Sequence, residues 1–98
     1  MIYIVNKKTY TGNIPFVYVG RPMVLGNPYS LSEYTREESI NKYRIWLNNQ
    51  FNLRGAVYNS MMYLVERYRK TEDLALMCWC APLPCHADVI KEKMLEIL

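Results

Sequence analysis

All three cysteines of the chain and its only histidine lie in one short segment near the C-terminus. The segment reads C-W-C-A-P-L-P-C-H and contains Cys78, Cys80, Cys85 and His86. Thiols and imidazoles bind soft or borderline metals and act as nucleophiles, and imidazole titrates near neutral pH. A chain that used cysteine only as a small apolar side chain would be expected to scatter it. This segment is therefore the first candidate for a functional centre.

Zinc binding is one chemistry that the segment suits. Three thiols and one imidazole supply four donors, the number that tetrahedral zinc takes, and Cys78 and Cys80 would share one face of a strand. Cys85 and His86 are adjacent, however, and would have to turn differently to reach one ion. The spacing also lacks the paired C-x-x-C of structural zinc sites. Zinc held by Cys78, Cys80, Cys85 and His86 is therefore an alternative.

Binding of a small anion is the chemistry that the sequence favours most, in the form of a nucleotide-like or phosphorylated molecule. A helix beginning at the segment would direct free N–H groups and its positive dipole end at the ligand. Without a ligand, Asp88 would accept hydrogen bonds from some of these N–H groups. Arg21 would add a fork of donors for a phosphate or carboxylate, and Trp79 or Tyr29 would stack on a base or sugar. The other candidate ligand-binding residues are Gly20, Gly26, Asn27, Cys80 and Pro82.

Covalent catalysis is a third chemistry. Cys85 at a helix N-terminus beside His86 is a setting in which the pKa of a thiol falls. Adjacent side chains often point apart, and Asp88 would not share the helix face of His86, so no third orienting group is evident. Cys85 and His86 are the candidate catalytic residues, and whether the protein is an enzyme stays open. In a purely structural interpretation, the cysteines fill the core and His86 begins a helix.

Length and composition indicate one small domain with its own core. The chain has 98 residues, of which 51% are hydrophobic and 21% charged, so disorder is not expected. An odd number of cysteines and the lack of a signal peptide favour a reducing cytoplasm, and no apolar stretch is long enough for a membrane span. The net charge of +3 suits an anionic ligand. Nucleic acid is less favoured because no dense Lys/Arg run occurs, and a homodimer is compatible with a domain of this kind.

The hydrophobic pattern predicts an α/β fold. Strands are expected over residues 1–5, 16–19 and 74–80, the last one apolar on both faces as in a covered parallel strand. Helices are expected over residues 36–49, 56–69 and from about residue 86 onward. The sequence T-R-E-E at 35–38 matches a capping box that starts the first helix. The order indicates a single domain over 1–98, with a short, mostly parallel sheet, flanking helices and Rossmann-like layering.

Such a sheet would bring the candidate residues together. Ligands of open parallel sheets bind beyond the carboxyl ends of the strands. The loop over 20–29 follows the second strand, and the loop over 81–86 follows the third. The pocket hypothesis therefore requires Arg21 to lie beside His86, although the two are far apart in sequence.

Several motifs add a family resemblance. The chain reads V-Y-V-G-R at 17–21, G-N-P-Y at 26–29, R-E-E-S-I at 36–40, Y-R-I-W-L at 43–47 and C-W-C-A-P-L-P-C-H-A-D at 78–88. Together these motifs resemble the uncharacterised family named domain of unknown function 4326. The resemblance implies a compact α/β domain of bacteria, phages and some eukaryotes, and it implies no established activity.

The resemblance covers about residue 17 to the C-terminus, so residues 1–16 are expected to be an N-terminal addition to a core over 17–98. Between Arg21 and Gly26 the chain reads P-M-V-L, where relatives often have a more polar, tryptophan-bearing stretch, so the pocket rim is expected to differ. The main hypothesis is a small cytoplasmic domain that binds a nucleotide-like or phosphorylated molecule, with His86 as acid/base in any hydrolysis or group transfer. The alternative is a zinc-stabilised protein-interaction module, such as a phage factor acting on a host protein.

Overall fold

Three strands and three helices make up the fold, and the computed structural model describes every residue from Met1 to Leu98. Along the chain they are β1 (Ile2–Asn6), β2 (Phe16–Tyr18), α1 (Arg36–Asn52), α2 (Ala56–Thr71), β3 (Leu74–Cys78) and α3 (His86–Ile97). The predicted α/β class is confirmed. None of the helices has the length and apolar character needed to cross a bilayer.

The last strand in the sequence is the central strand of the sheet. The strand order is β1-β3-β2, and both outer strands run parallel to β3. Asn6 lies opposite Cys78 at one edge of β3, and Tyr18 lies opposite Met77 at the other. Every residue of β3 is buried, which agrees with a sequence that is apolar on both faces. The segment 7–15 must therefore pass from one side of β3 to the other.

β3 is shorter than the sequence predicts, ending at Cys78 rather than Cys80. The two outer strands also end here: β1 ends opposite Cys78 and β2 ends opposite Met77. Beyond Cys78, β3 therefore has no strand to pair with. The side-chain amide of Asn6 then donates hydrogen bonds to the carbonyl oxygens of Trp79 and Ala81, at 3.0 and 2.9 Å. These bonds hold the chain in a turn immediately after the strand.

The capping box at the start of α1 is confirmed. The Thr35 hydroxyl accepts a hydrogen bond from the Glu38 N–H, and the Glu38 carboxylate accepts one from the Thr35 N–H. The predicted end at Asn49 is three residues short, since α1 continues to Asn52. Asparagine is only a weak helix breaker, and the chain instead turns at Arg54, whose φ of 59° lies in the left-handed region.

The three helices contact one another, and α2 and α3 also contact β3. Tyr43 of α1 lies inside this packing with no exposed surface, and its hydroxyl donates a 2.6 Å hydrogen bond to the carbonyl oxygen of Leu25. Leu25 is itself buried and belongs to the core. The long loop after β2 is thereby anchored to the first helix.

Replacing Tyr43 with phenylalanine tests this anchor. Tyr43→Phe leaves the buried carbonyl of Leu25 without its donor, and an unpartnered buried polar group costs about 1–3 kcal/mol. We expect the free energy of unfolding in urea to fall by that amount. Tyr3→Phe, in the half-buried outer strand β1, is the matched control and should change it little. Equal stability of the two variants would contradict the anchoring role.

Candidate functional site

A cleft of about 110 Å³ lies beyond the carboxyl ends of β2 and β3. Its walls come from the loop after β2, the start of α1, the turn after β3 and the start of α3. Arg21 and His86 both line it, which is the proximity that the pocket hypothesis required. The lining residues are Gly20, Arg21, Asn27, Tyr29, Leu31, Arg36, Ser39, Ile40, Trp79, Cys80, Pro84, Cys85 and His86.

Four candidate residues do not line this cleft. Cys78 is buried at the end of β3. Pro82 lines a separate hollow against the segment that follows β1. A side chain at Gly26 would meet the backbone nitrogen of Arg21 at 2.9 Å, so Gly26 allows the loop to close on itself. Asp88 turns back at the start of α3 and accepts a 2.9 Å hydrogen bond from the Cys85 N–H.

Asn27 lines the cleft, but its amide is largely occupied by the protein. Its Nδ2 donates to the hydroxyl of Ser39 at 2.8 Å, and its Oδ1 accepts from the Tyr29 N–H at 2.9 Å. Ser39 is buried and donates in turn to the Tyr29 carbonyl at 2.7 Å. These bonds fasten the loop to α1, so the first role of Asn27 is to shape the wall.

His86 is a nearly buried imidazole with one nitrogen committed. Nε2 lies 2.8 Å from the carbonyl oxygen of Val19, and a carbonyl only accepts, so Nε2 carries the hydrogen. Burial lowers the pKa of His86 most, and the charge of Arg21 lowers it further. Nδ1 makes no hydrogen bond to the protein and is not among the buried unpartnered atoms, so it meets solvent. At neutral pH His86 therefore offers an acceptor, Nδ1, at the cleft wall.

Cys78 and Cys85 touch each other. The Cys85 S–H donates to Cys78 Sγ at 3.2 Å, which lowers the pKa of Cys78 to about 6, aided by backbone N–H groups of Ala81 and Cys80. The same hydrogen bond, together with burial, raises the pKa of Cys85. The sequence predicts a lowered pKa for Cys85, whereas in the structure its thiol donates to Cys78 and this contact raises the pKa of Cys85. A nucleophilic Cys85 is not favoured by this geometry.

The four donors proposed for zinc do not converge. No group of three or more His, Cys, Asp or Glu side chains in the structure is placed to hold a metal ion. His86 uses Nε2 on the Val19 carbonyl, and the thiol–thiol hydrogen bond joins Cys78 to Cys85 without Cys80. The residues present do not fit a tetrahedral zinc site, which removes the geometric basis of the zinc-stabilised alternative.

Two arginines give the cleft its charge. Arg21 and Arg36 both line it, no aspartate or glutamate does, and neither arginine forms an ion pair. Arg36 donates one hydrogen bond, from Nη1 to the Pro84 carbonyl at 3.0 Å, and keeps its other donors. Sequence reasoning did not assign Arg36 to the site, because its motif was interpreted as a helix start. Only the packing of α1 against the loop before α3 reveals the second cation.

An aromatic group borders the cleft. Trp79 is 56% exposed, and its Nε1 donates a 3.0 Å hydrogen bond to the Tyr18 hydroxyl, which donates to the Arg21 carbonyl at 2.7 Å. Lys7 Nζ lies 4.4 Å from the ring centroid of Tyr18 and 5.4 Å from that of Trp79. A large aromatic surface is thus held in place beside the arginine-bearing loop.

The comparison with family models supports the motif-based resemblance. A model described as "Domain of unknown function (DUF4326)" matches residues 4–96, a range that includes the last three residues of β1 and all of the cleft. No curated protein and no solved structure matches the chain.

Titration of His86 tests the electrostatics of the site. His86 is the only histidine, so NMR can follow its ring proton without assignment. We expect the native midpoint to fall below that of the urea-denatured chain, about 6.5. Between these two pKa values the unfolded state binds more protons, so stability should drop as the pH falls below about 6.5 and level off below the native pKa.

The matched control for this titration is His86→Gln. This variant should lack the drop in stability that the protonation of His86 causes below about pH 6.5. A native midpoint equal to or above the denatured one would contradict a buried, neutral His86.

Proposed function

The chain belongs to the family Domain of unknown function (DUF4326), and we propose that it binds a small phosphorylated molecule, nucleotide-like in kind, in the cleft. The phosphate would contact Arg21 and Arg36, and the rest of the ligand would extend toward Trp79. A cytoplasmic location belongs to the same proposal, because the three cysteines are free thiols.

The observation that carries the proposal is the unpaired positive charge of the cleft. Two guanidinium groups without carboxylate partners line one small concavity, and guanidinium is suited to bidentate contacts with phosphate. The first turn of α3 adds the backbone N–H group of His86, which lies too early in the helix to bond within it, whereas the N–H of Ala87 is directed at the Cys85 thiol. Asp88 already takes the Cys85 N–H, so the arginines supply most of the attraction.

The size of the cleft limits the part of a ligand that it can enclose. About 110 Å³ is well below the roughly 300–1,000 Å³ of sites that enclose drug-sized ligands. It equals a few water molecules at about 30 Å³ each, enough for a phosphate and adjoining atoms. A base or a second ring would therefore lie outside, against the exposed face of Trp79.

His86 gives the proposed site one acceptor. Because Nε2 is committed to Val19 and the ring is neutral at neutral pH, Nδ1 would accept a hydrogen bond from a ligand hydroxyl or amine. If the protein is an enzyme, the reaction we propose is hydrolysis or transfer at a phosphate or glycosidic bond. His86 would then act as a general base through Nδ1, since a lowered pKa favours accepting a proton only transiently.

Removing either guanidinium tests the proposal. Hydrogen bonds to charged groups contribute about 1.5–3 kcal/mol, so Arg21→Gln and Arg36→Gln should each raise the Kd of a nucleoside monophosphate roughly 10- to 100-fold. Isothermal titration calorimetry would measure this change. The wild type with ligand at about one hundred times Kd should gain roughly 2.7 kcal/mol of stability.

The control is Arg69→Gln, which removes the same charge from the exposed last turn of α2 and should leave Kd nearly unchanged. An equal loss of affinity in all three variants would mean that only the net charge of the protein matters, and would contradict binding in the cleft. Absence of binding by nucleotides, sugar phosphates and inorganic phosphate to the wild type would refute the proposal.

Trp79 provides a separate test of the nucleotide-like part. In a Trp46→Phe background the fluorescence reports Trp79 alone, because the chain has two tryptophans. We expect adenosine monophosphate to quench this emission and ribose 5-phosphate to quench it less, since only the former carries a base. Trp79→Ala should weaken binding of the nucleotide by about 1–3 kcal/mol, the usual contribution of a base–aromatic stack. Binding of the sugar phosphate should be unaffected. Equal quenching by both ligands would contradict a base-stacking role.

A further inference from the structure

We propose that Cys78 and Cys85 form an oxidisable dithiol that hydrogen peroxide converts to an intramolecular disulfide. The proposal concerns the buried thiol pair beneath the cleft and does not depend on which molecule the cleft binds. It assigns different fates to the three cysteines, because Cys80 is left as a thiol.

The geometry that carries the proposal is the direct contact between two sulfur atoms. Cys78 Sγ and Cys85 Sγ are 3.2 Å apart, so a bond of about 2.05 Å needs an approach of about 1 Å. Cys78 is the last residue of the central strand, and Cys85 is the N-cap of α3. The turn over 79–84 joins them and contains no regular structure.

Cys80 is excluded from the pair by its position. It is half-buried at the cleft wall and has no sulfur contact, whereas both members of the pair are buried. Cys78 and Cys80 are also separated by a single residue, which is unfavourable spacing for a disulfide. The most accessible thiol is therefore not the one that the structure prepares for disulfide formation.

The reaction balances with peroxide as the only co-reactant. The Cys78 thiolate attacks one peroxide oxygen, the O–O bond breaks, an S–O bond forms, and the hydroxide released takes a proton from solvent to become water. Cys85 sulfur then attacks the sulfur of the sulfenic acid, the S–S bond forms as the S–O bond breaks, and the departing hydroxide takes the Cys85 thiol proton to become water. Two thiols lose two electrons in total and peroxide gains them, giving a disulfide and two molecules of water.

The protonation states suit these roles. The Cys85 S–H bond to Cys78 is the largest factor that lowers the pKa of Cys78, to about 6, so Cys78 is the thiol of the pair that ionises more readily. Cys85 keeps its proton until the second step, because its pKa is raised. Cys85 lines the cleft and Cys78 is buried behind it, so the pair lies directly beneath the cleft wall.

Mass spectrometry of the full chain tests the proposal. The reduced protein is treated with hydrogen peroxide at neutral pH, the remaining thiols are alkylated, and the intact mass is measured. We expect the mass of two hydrogen atoms to be lost and the free thiols to fall from three to one. Chymotrypsin cleaves after Trp79 and thus separates Cys78 from the other two, so the linked peptides should carry the alkyl group on Cys80.

Single variants make the assignment unambiguous. Cys80→Ser should form the disulfide at the wild-type rate, whereas Cys78→Ser and Cys85→Ser should form no intramolecular disulfide. The wild-type peptide map and Cys80→Ser decide the question even if one of the buried variants fails to fold. A disulfide that includes Cys80, or oxygen addition at single cysteines with no disulfide, would overturn the proposal.

Discussion

The hydrogen bond between His86 Nε2 and the Val19 carbonyl is the contact on which the arrangement of the cleft depends. At 2.8 Å it joins the first residue of α3 to the end of β2, and the Val19 N–H is itself bonded to Met77 of the central strand at 3.0 Å. The loop that carries Arg21 starts immediately after this junction. The same bond sets the tautomer of the imidazole, so one contact determines both the shape of the wall and the group presented to solvent.

Local patterns predicted those features that are determined locally. The capping box of Thr35 and Glu38 and the doubly apolar β3 appear as expected, because each depends on residues a few positions apart. The behaviour of Cys85 and the place of Arg36 were not predictable in this way. A helix terminus alone should lower the pKa of a thiol, but Cys85 also contacts Cys78, and only the tight turn between them sets their distance. Arg36 reaches the cleft because α1 packs against the segment ending at Pro84, a tertiary contact without a sequence signature.

The distribution of charge separates the cleft from the rest of the surface. Some cations elsewhere pair with carboxylates, as Arg44 does with Glu92 and Lys93 with Glu96, whereas the lining of the cleft holds two arginines and no carboxylate. Asp88, at the start of α3, has its carboxylate directed at the backbone N–H of Cys85. A mildly basic chain with a net charge of +3 thus concentrates unneutralised charge in one concavity, where surrounding protein excludes part of the solvent and screening is weaker.

The central position of β3 has a consequence for biosynthesis. β1 and β2 are complete by residue 18, yet each pairs only with β3, which starts at residue 74. α1 and α2 need only local contacts and can form while the chain is still being translated, whereas pairings of such large sequence separation form slowly. A nascent chain that has not reached Leu74 therefore has no sheet, and its apolar N-terminal strands stay open to chaperones or to neighbouring nascent chains.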